Sequence, residues 1–240
     1  MPEKSLLLSV SNVYETLAIS VPTVVDAALG RLHKNVCDER LAGWATRLVG
    51  NAAMTLDVRG RENLTPGKAF LVMSNHQSHY DIPVLFCVLG ANVRMVAKTE
   101  LFKFPIFGHA MREAGFIEID RSNRHRAVAS LAVAKEQLAR GTNVWIAPEG
   151  TRSRTGELLP FKKGGFVVAM ETAWPILPVT IKGTRDALPA DGRRARKGAE
   201  VVVTLHPVID TATYLAGPGN TKAQRERLMS DVRGAIATAL

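Results

Sequence analysis

A histidine with an aspartate five residues on, set between an apolar run and a helical pattern, is the feature of this sequence best suited to moving a proton. His76 and Asp81 lie in Asn75-His76-Gln77-Ser78-His79-Tyr80-Asp81, directly after the apolar run Ala69–Ser74. On one continuous helix they would point to different sides, since neighbours on a helix face are three or four residues apart. With His76 in the loop and Asp81 in the first helical turn, the side chains can meet. A carboxylate bonded to one imidazole nitrogen fixes the tautomer and raises the basicity of the other, which can then take a proton from a hydroxyl. Two other readings stand beside this one. Ser78-x-x-Asp81 fits a capping box that stabilises a helix without catalysis. His76-x-x-His79 has the spacing of a metal pair, but it lacks the H-E-x-x-H context and a clear third ligand, so no metal is expected. Taken alone, these residues favour the cap.

Further loops follow the same logic of polar residues at a strand end. Gly115–Arg121 reads as a strand ending in a cation, Arg121. Val144–Ala147 reads as a strand entering Pro148-Glu149-Gly150-Thr151-Arg152-Ser153. Gly150 permits a tight turn, so backbone donors and Arg152 can converge on an anion, and arginine offers the two-pronged geometry that phosphate prefers. Phe161-Lys162-Lys163-Gly164-Gly165 adds charge before another helix start. Each loop alone reads as a solvated surface turn; together they set a base beside several cations. A nucleophile elbow, a P-loop and a G-x-G-x-x-G fingerprint are all missing, which counts against elbow-type serine hydrolases, P-loop NTPases and standard dinucleotide enzymes.

The elements that must position these loops are legible in outline. Apolar runs Ala69–Ser74, Val93–Ala97, Phe116–Ile119, Val144–Ala147, Ile176–Ile181 and Val201–Leu205 read as strands. Helical patterns cover Ile82–Leu89, Arg124–Ala139, Gly165–Thr172 and Lys222–Ala239. The alternation predicts an α/β fold over residues 56–240: a mostly parallel central sheet flanked by helices, with binding loops at the carboxyl ends of strands. Residues 1–55 differ. Leu6, Val10, Val13, Leu17, Val21, Val24 and Ala28 recur at helical spacing, with Pro22 as an expected kink. Leu41, Trp44, Leu48 and Ala52 form a second stripe. These two amphipathic helices, with Arg31, His33, Lys34, Arg40 and Arg47 beside them, either pack on the domain or lie in a membrane interface.

Composition narrows the classes. The chain has 240 residues, enough for one large domain or a domain plus an extension, and its 46% hydrophobic and 22% charged residues are ordinary for a globular protein. Two separated cysteines, Cys37 and Cys87, argue against zinc clusters and redox dithiols and point to a reducing compartment. The net charge of +9 calls for an anionic partner. Aromatics at 6% are few for single-stranded nucleic acid, so none is expected as a partner. No secretory signal is visible, and the longest uncharged run, Ile82–Val93, falls short of the roughly 18 residues that would suggest a membrane span.

Taken in order, the loops resemble those of the 1-acyl-glycerol-3-phosphate acyltransferase (PlsC-like) family of glycerolipid acyltransferases. Asn75-His76-x-x-x-x-Asp81 matches the first family block, Gly115–Arg121 the second, Pro148–Ser153 the third and Ile176-Leu177-Pro178-Val179 the fourth. Lys98, in Ala97-Lys98-Thr99-Glu100-Leu101, also sits as the family has it. The resemblance covers about residues 55–210. It implies transfer of a fatty acyl group from acyl-CoA or acyl carrier protein to the free sn-2 hydroxyl of 1-acyl-glycerol-3-phosphate, giving phosphatidic acid, without a cofactor. It implies His76 as general base, Asp81 as its orienting partner, and Lys98, Arg121, Glu149, Gly150, Thr151 and Arg152 as substrate-binding residues. It also implies peripheral or monotopic attachment to the cytoplasmic face of a membrane. Other lysolipids, such as a lyso-ornithine lipid, are alternative acceptors. A hydrolase using the same pair, and a non-catalytic binder of anionic membranes, are the competing classes.

Overall fold

Strands made of unbroken apolar runs need cover on both faces, and that cover organises the molecule. The computed structural model describes residues 4–120 and 124–240. In chain order the elements are β1 (Lys4–Ser5), α1 (Leu6–Ala28), α2 (Lys34–Asn51), β2 (Thr55–Arg59), β3 (Leu71–Ser74), α3 (Asp81–Leu89), β4 (Val93–Lys98), α4 (Thr99–Phe102), α5 (Phe107–Glu113), β5 (Ile117–Ile119), α6 (Arg124–Ala139), β6 (Asn143–Ile146), α7 (Gly164–Thr172), β7 (Ile176–Lys182), α8 (Thr184–Ala187), β8 (Ala195–Arg196), β9 (Glu200–Leu205), α9 (Thr211–Leu215) and α10 (Thr221–Ala237). Seven strands form one sheet in the order β2-β9-β7-β3-β6-β4-β5. All neighbours are parallel except β7 and β9. The six strands and four helices read from the pattern are present within one or two residues at each end. The short elements β2, α4, α5, α8 and α9 are additions that periodicity does not announce.

Alternate residues of the central strands serve two cores. Val72, Leu177, Val179 and Ile181 pack with α2 and α3 on one face; Leu71, Met73 and Ile176 pack with α6, α7 and α10 on the other. Strand β3 lies between β7 and β6, with Ser74 level with Val179, so the loop leaving β3 emerges beside the ends of both neighbours.

The two N-terminal helices differ in what they bury. Helix α2 belongs to the core, where Cys37, Leu41, Ala45, Leu48 and Val49 are buried. Each large apolar side chain so buried contributes about 1.5–3 kcal/mol, which ties α2 to the domain. Trp44 is drawn inward as well: its indole N–H donates to Thr16 Oγ1 at 3.1 Å and its ring packs edge-on against Phe86. Arg40 and Arg47 pair with Asp26 and Glu15 of α1. These three residues join the two helices to each other, as the packing alternative has it.

Helix α1 runs unbroken through Pro22, capped at its start by the Ser5 hydroxyl, which accepts from Leu8 N–H at 3.1 Å. It buries Leu8, Ser20 and Thr23 and turns an apolar stripe outward. Leu7 is 83% exposed and Tyr14 68%, and Val10, Leu17, Val21 and Val25 continue the stripe at helical spacing. No helix among the described residues is long and apolar enough to cross a membrane.

Candidate active site

The loop after β3 is held in place before any substrate arrives. The Asn75 side chain pairs with the backbone of Ile181 in β7, donating to its carbonyl and accepting from its N–H, both at 2.8 Å. Gln77 Nε2 donates to the same carbonyl at 2.8 Å. Trp145 of β6 donates to Ser74 Oγ at 2.9 Å and packs edge-on against the His76 ring, 5.4 Å between centroids. The His76 backbone is gripped on both sides by the loop after β6. Its N–H donates to Glu149 Oε1 and its carbonyl accepts from Ser153 N–H, each at 2.7 Å.

Within this frame His76 Nδ1 lies 2.7 Å from Asp81 Oδ2. The Asp81 side chain is wholly buried, and that of His76 is 16% exposed. Asp81 Oδ2 also accepts from the Gln77 and Ser78 backbone N–H groups at 2.7 and 2.9 Å, and Oδ1 accepts from the Thr184 hydroxyl at 2.5 Å. The cap and the orienting partner are therefore one carboxylate doing both: it satisfies the loop's N–H groups and holds the imidazole. The Ser78 hydroxyl accepts from Tyr80 N–H, so only the aspartate half of the expected capping box forms. With Nδ1 engaged, Nε2 is the ring nitrogen left for a substrate hydroxyl.

Two cations act on this loop. Lys98 closes β4 and is exposed. Arg152 is half-buried, and burial lowers its proton affinity while the nearby charges of Asp81 and Asp191 raise it. His79 is pushed down to about 4, first by burial and then by the charges of Arg152, His76 and Lys98, so it is neutral at neutral pH. Gly150 takes a left-handed φ of 74° in the turn that carries Thr151 outward.

Glu149, expected among the substrate-binding groups, is tied to the backbone of the loop. It is buried, and its two oxygens accept from the His76 and Leu159 backbone N–H groups at 2.7 and 2.8 Å. Burial pushes its carboxyl up against those two bonds. It braces the His76 loop against the following turn. Arg121 lies outside the described residues. The sequence also hides Gln77 and Thr184, whose polar ends act on this loop. A glycine–threonine pair at the end of β7 is the one local sign of Thr184.

An apolar cavity of about 530 Å³ opens beside this cluster, between α1, α2, α3 and the α4–α5 turn. His79 and Tyr80 reach its wall from the loop after β3; Val13, Trp44, Phe86 and Met111 are among the apolar residues that line it. Its size is that of a pocket for a small-molecule ligand. The Tyr80 hydroxyl accepts from Asn12 of α1 at 2.7 Å, linking the cavity wall to the loop.

Residues 55–182 match the family described as Acyltransferase. Over 154 residues the chain is 36% identical to a chloroplastic 1-acyl-sn-glycerol-3-phosphate acyltransferase of Brassica napus, covering 64% of this chain and 44% of the relative. The human 1-acyl-sn-glycerol-3-phosphate acyltransferase alpha is 36% identical over 154 residues, with 64% and 54% covered. The chain thus spans about half the length of these curated relatives. The crystal structure of the 1-acyl-sn-glycerophosphate acyltransferase PlsC from Thermotoga maritima is similar over 98% of this chain and 95% of that one, with a TM-score of 0.76 and 26% identity.

Proposed function

The chain belongs to the acyltransferase family, and on that premise we propose that it moves a fatty acyl group from a thioester to the free sn-2 hydroxyl of 1-acyl-glycerol-3-phosphate. The observation that carries this reading is the 2.7 Å contact between His76 Nδ1 and Asp81 Oδ2, which leaves Nε2 for the acceptor hydroxyl. Nε2 takes the hydroxyl proton as the oxygen attacks the thioester carbonyl. The C–S bond then breaks, and the departing thiolate takes the proton from the imidazolium. A thioester is already activated, so a base suffices without a protein nucleophile. The apolar cavity beside His79 suits an acyl chain, and the cations around the loop suit a phosphate.

The test is the purified chain with labelled acyl-CoA or acyl carrier protein and a panel of lysolipids: lysophosphatidate, lysophosphatidylglycerol and a lyso-ornithine lipid. Acyl transfer to lysophosphatidate above the others is the predicted outcome. Release of free fatty acid alone would make the chain a hydrolase. In the same assay Arg152→Ala raises the acceptor KM more than the donor KM. A charge-assisted bond contributes about 1.5–3 kcal/mol, so the rise is roughly 10- to 150-fold. Arg152→Lys restores it only in part, because an ammonium lacks the guanidinium fork. A raised donor KM with an unchanged acceptor KM would move Arg152 to the thioester side.

Because the acceptor is a lipid, the protein must meet a membrane surface. The outward stripe of α1 is the apolar face that supports this, joined by the exposed Phe104 and Ile106 at the α4–α5 turn. Removing residues 1–55 would strip α2 from the core, so point charges test the contact more cleanly. Leu7→Glu, Val10→Glu and Tyr14→Glu together lower sedimentation with anionic vesicles at least about tenfold, since each apolar side chain returned to water costs about 1.5–3 kcal/mol. Turnover of a short-chain soluble acceptor is retained. Unchanged sedimentation would move the docking surface to the basic face of the domain.

A further inference from the structure

Asp81 presents two oxygens with unequal company. Three donors converge on Oδ2, whereas Oδ1 has one recorded partner among the described residues, the Thr184 hydroxyl at 2.5 Å. Both residues are fully buried, so no bulk water stands in for that donor. The chain is shaped to deliver it. Strand β7 ends at Lys182, and Gly183 turns with a φ of 96° where a Cβ would meet the Glu200 carbonyl oxygen at 1.9 Å. Only glycine makes that turn, and the next residue is Thr184.

The carboxylate torsion of an aspartate is broad and does not hold its own oxygens in place. A donor on Oδ1 sets that torsion and keeps Oδ2 in line with Nδ1. The hydroxyl also gives Oδ1 a buried donor, so the carboxylate that stabilises an imidazolium is hydrogen-bonded on both oxygens. We propose that Thr184 is a positioning residue for the His76–Asp81 pair, its hydroxyl setting the rotation of the Asp81 carboxylate and, through it, the imidazole that takes the acceptor proton. The inference rests on the reading of His76 as the base.

Thr184→Val keeps the shape and removes the donor; Thr184→Ala removes it without placing a methyl group against the carboxylate; Thr184→Ser keeps it. Steady-state kinetics and urea midpoints are measured for all three beside His76→Ala. Loss of a hydrogen bond to a charged group predicts a fall in kcat of about 10- to 100-fold for the valine and alanine variants, with both KM values within about twofold. Serine restores kcat to near the parent value. A merely structural threonine would lower the urea midpoint and leave kcat of the folded fraction unchanged, which would overturn the proposal. So would failure of both hydroxyl-less variants to fold, because Thr184 would then serve the fold rather than the pair. If His76→Ala itself keeps its activity, the base assignment fails first, and that result is distinct from parent-like kcat in the Thr184 variants alone.

Discussion

Replacing His76 with alanine lowers kcat/KM for acyl transfer by about 10²–10⁴-fold, the usual contribution of a positioned general base. The fold survives the change. The His76 backbone N–H and carbonyl, which Glu149 and Ser153 grip, are untouched by trimming the side chain. What disappears is the imidazole, its 2.7 Å bond to Asp81 and its edge contact with Trp145. Circular dichroism and a urea midpoint close to the parent, together with activity at background, are the predicted pair of results. Near-parent turnover in a folded variant would rule out His76 as the base and return the loop to a helix cap.

Asp81→Asn has a comparable effect on turnover and likewise leaves the fold in place. The asparagine carbonyl can take the place of Oδ2 and accept from Gln77 N–H, Ser78 N–H and His76 Nδ1 as the carboxylate does. Its NH₂ group then faces Thr184 Oγ1, and the threonine hydroxyl rotates to accept. The cap persists, because asparagine also caps helices. The charge does not persist, and with it goes the stabilisation of the imidazolium formed as the hydroxyl is deprotonated. The predicted result is a fall in kcat on the order of 10²–10⁴-fold with a small change in urea midpoint. Losses of similar, modest size in both measurements would mean that the carboxylate serves the loop alone.

Short-range patterns carried much of this molecule into view. The buried run Leu71–Ser74 and its neighbours read as strands because parallel strands covered on both faces have no polar side to interrupt them. His76 and Asp81 are five residues apart across a loop and a helix start, so local spacing permits their meeting. The short helices α4 and α5 leave no such mark, because four and seven residues give periodicity too little length.

Spacing along the chain is a local quantity, and it was enough for the α/β class and the strand-end loops, and it allowed the His76–Asp81 contact beside the cap. It contains no statement about which strand lies beside which. The order β7-β3-β6 alone brings Thr184 to Asp81 across 103 residues and Glu149 to His76 across 73. Burial then makes Glu149 a brace for the His76 loop, because a carboxylate removed from water takes the nearest backbone donors. The same limit governs α1 and α2. Both carry apolar stripes, and the pattern is silent on what each stripe faces. Packing puts that of α2 against α3 and leaves that of α1 turned outward, since an amphipathic helix has a face to bury but the rest of the fold chooses its partner.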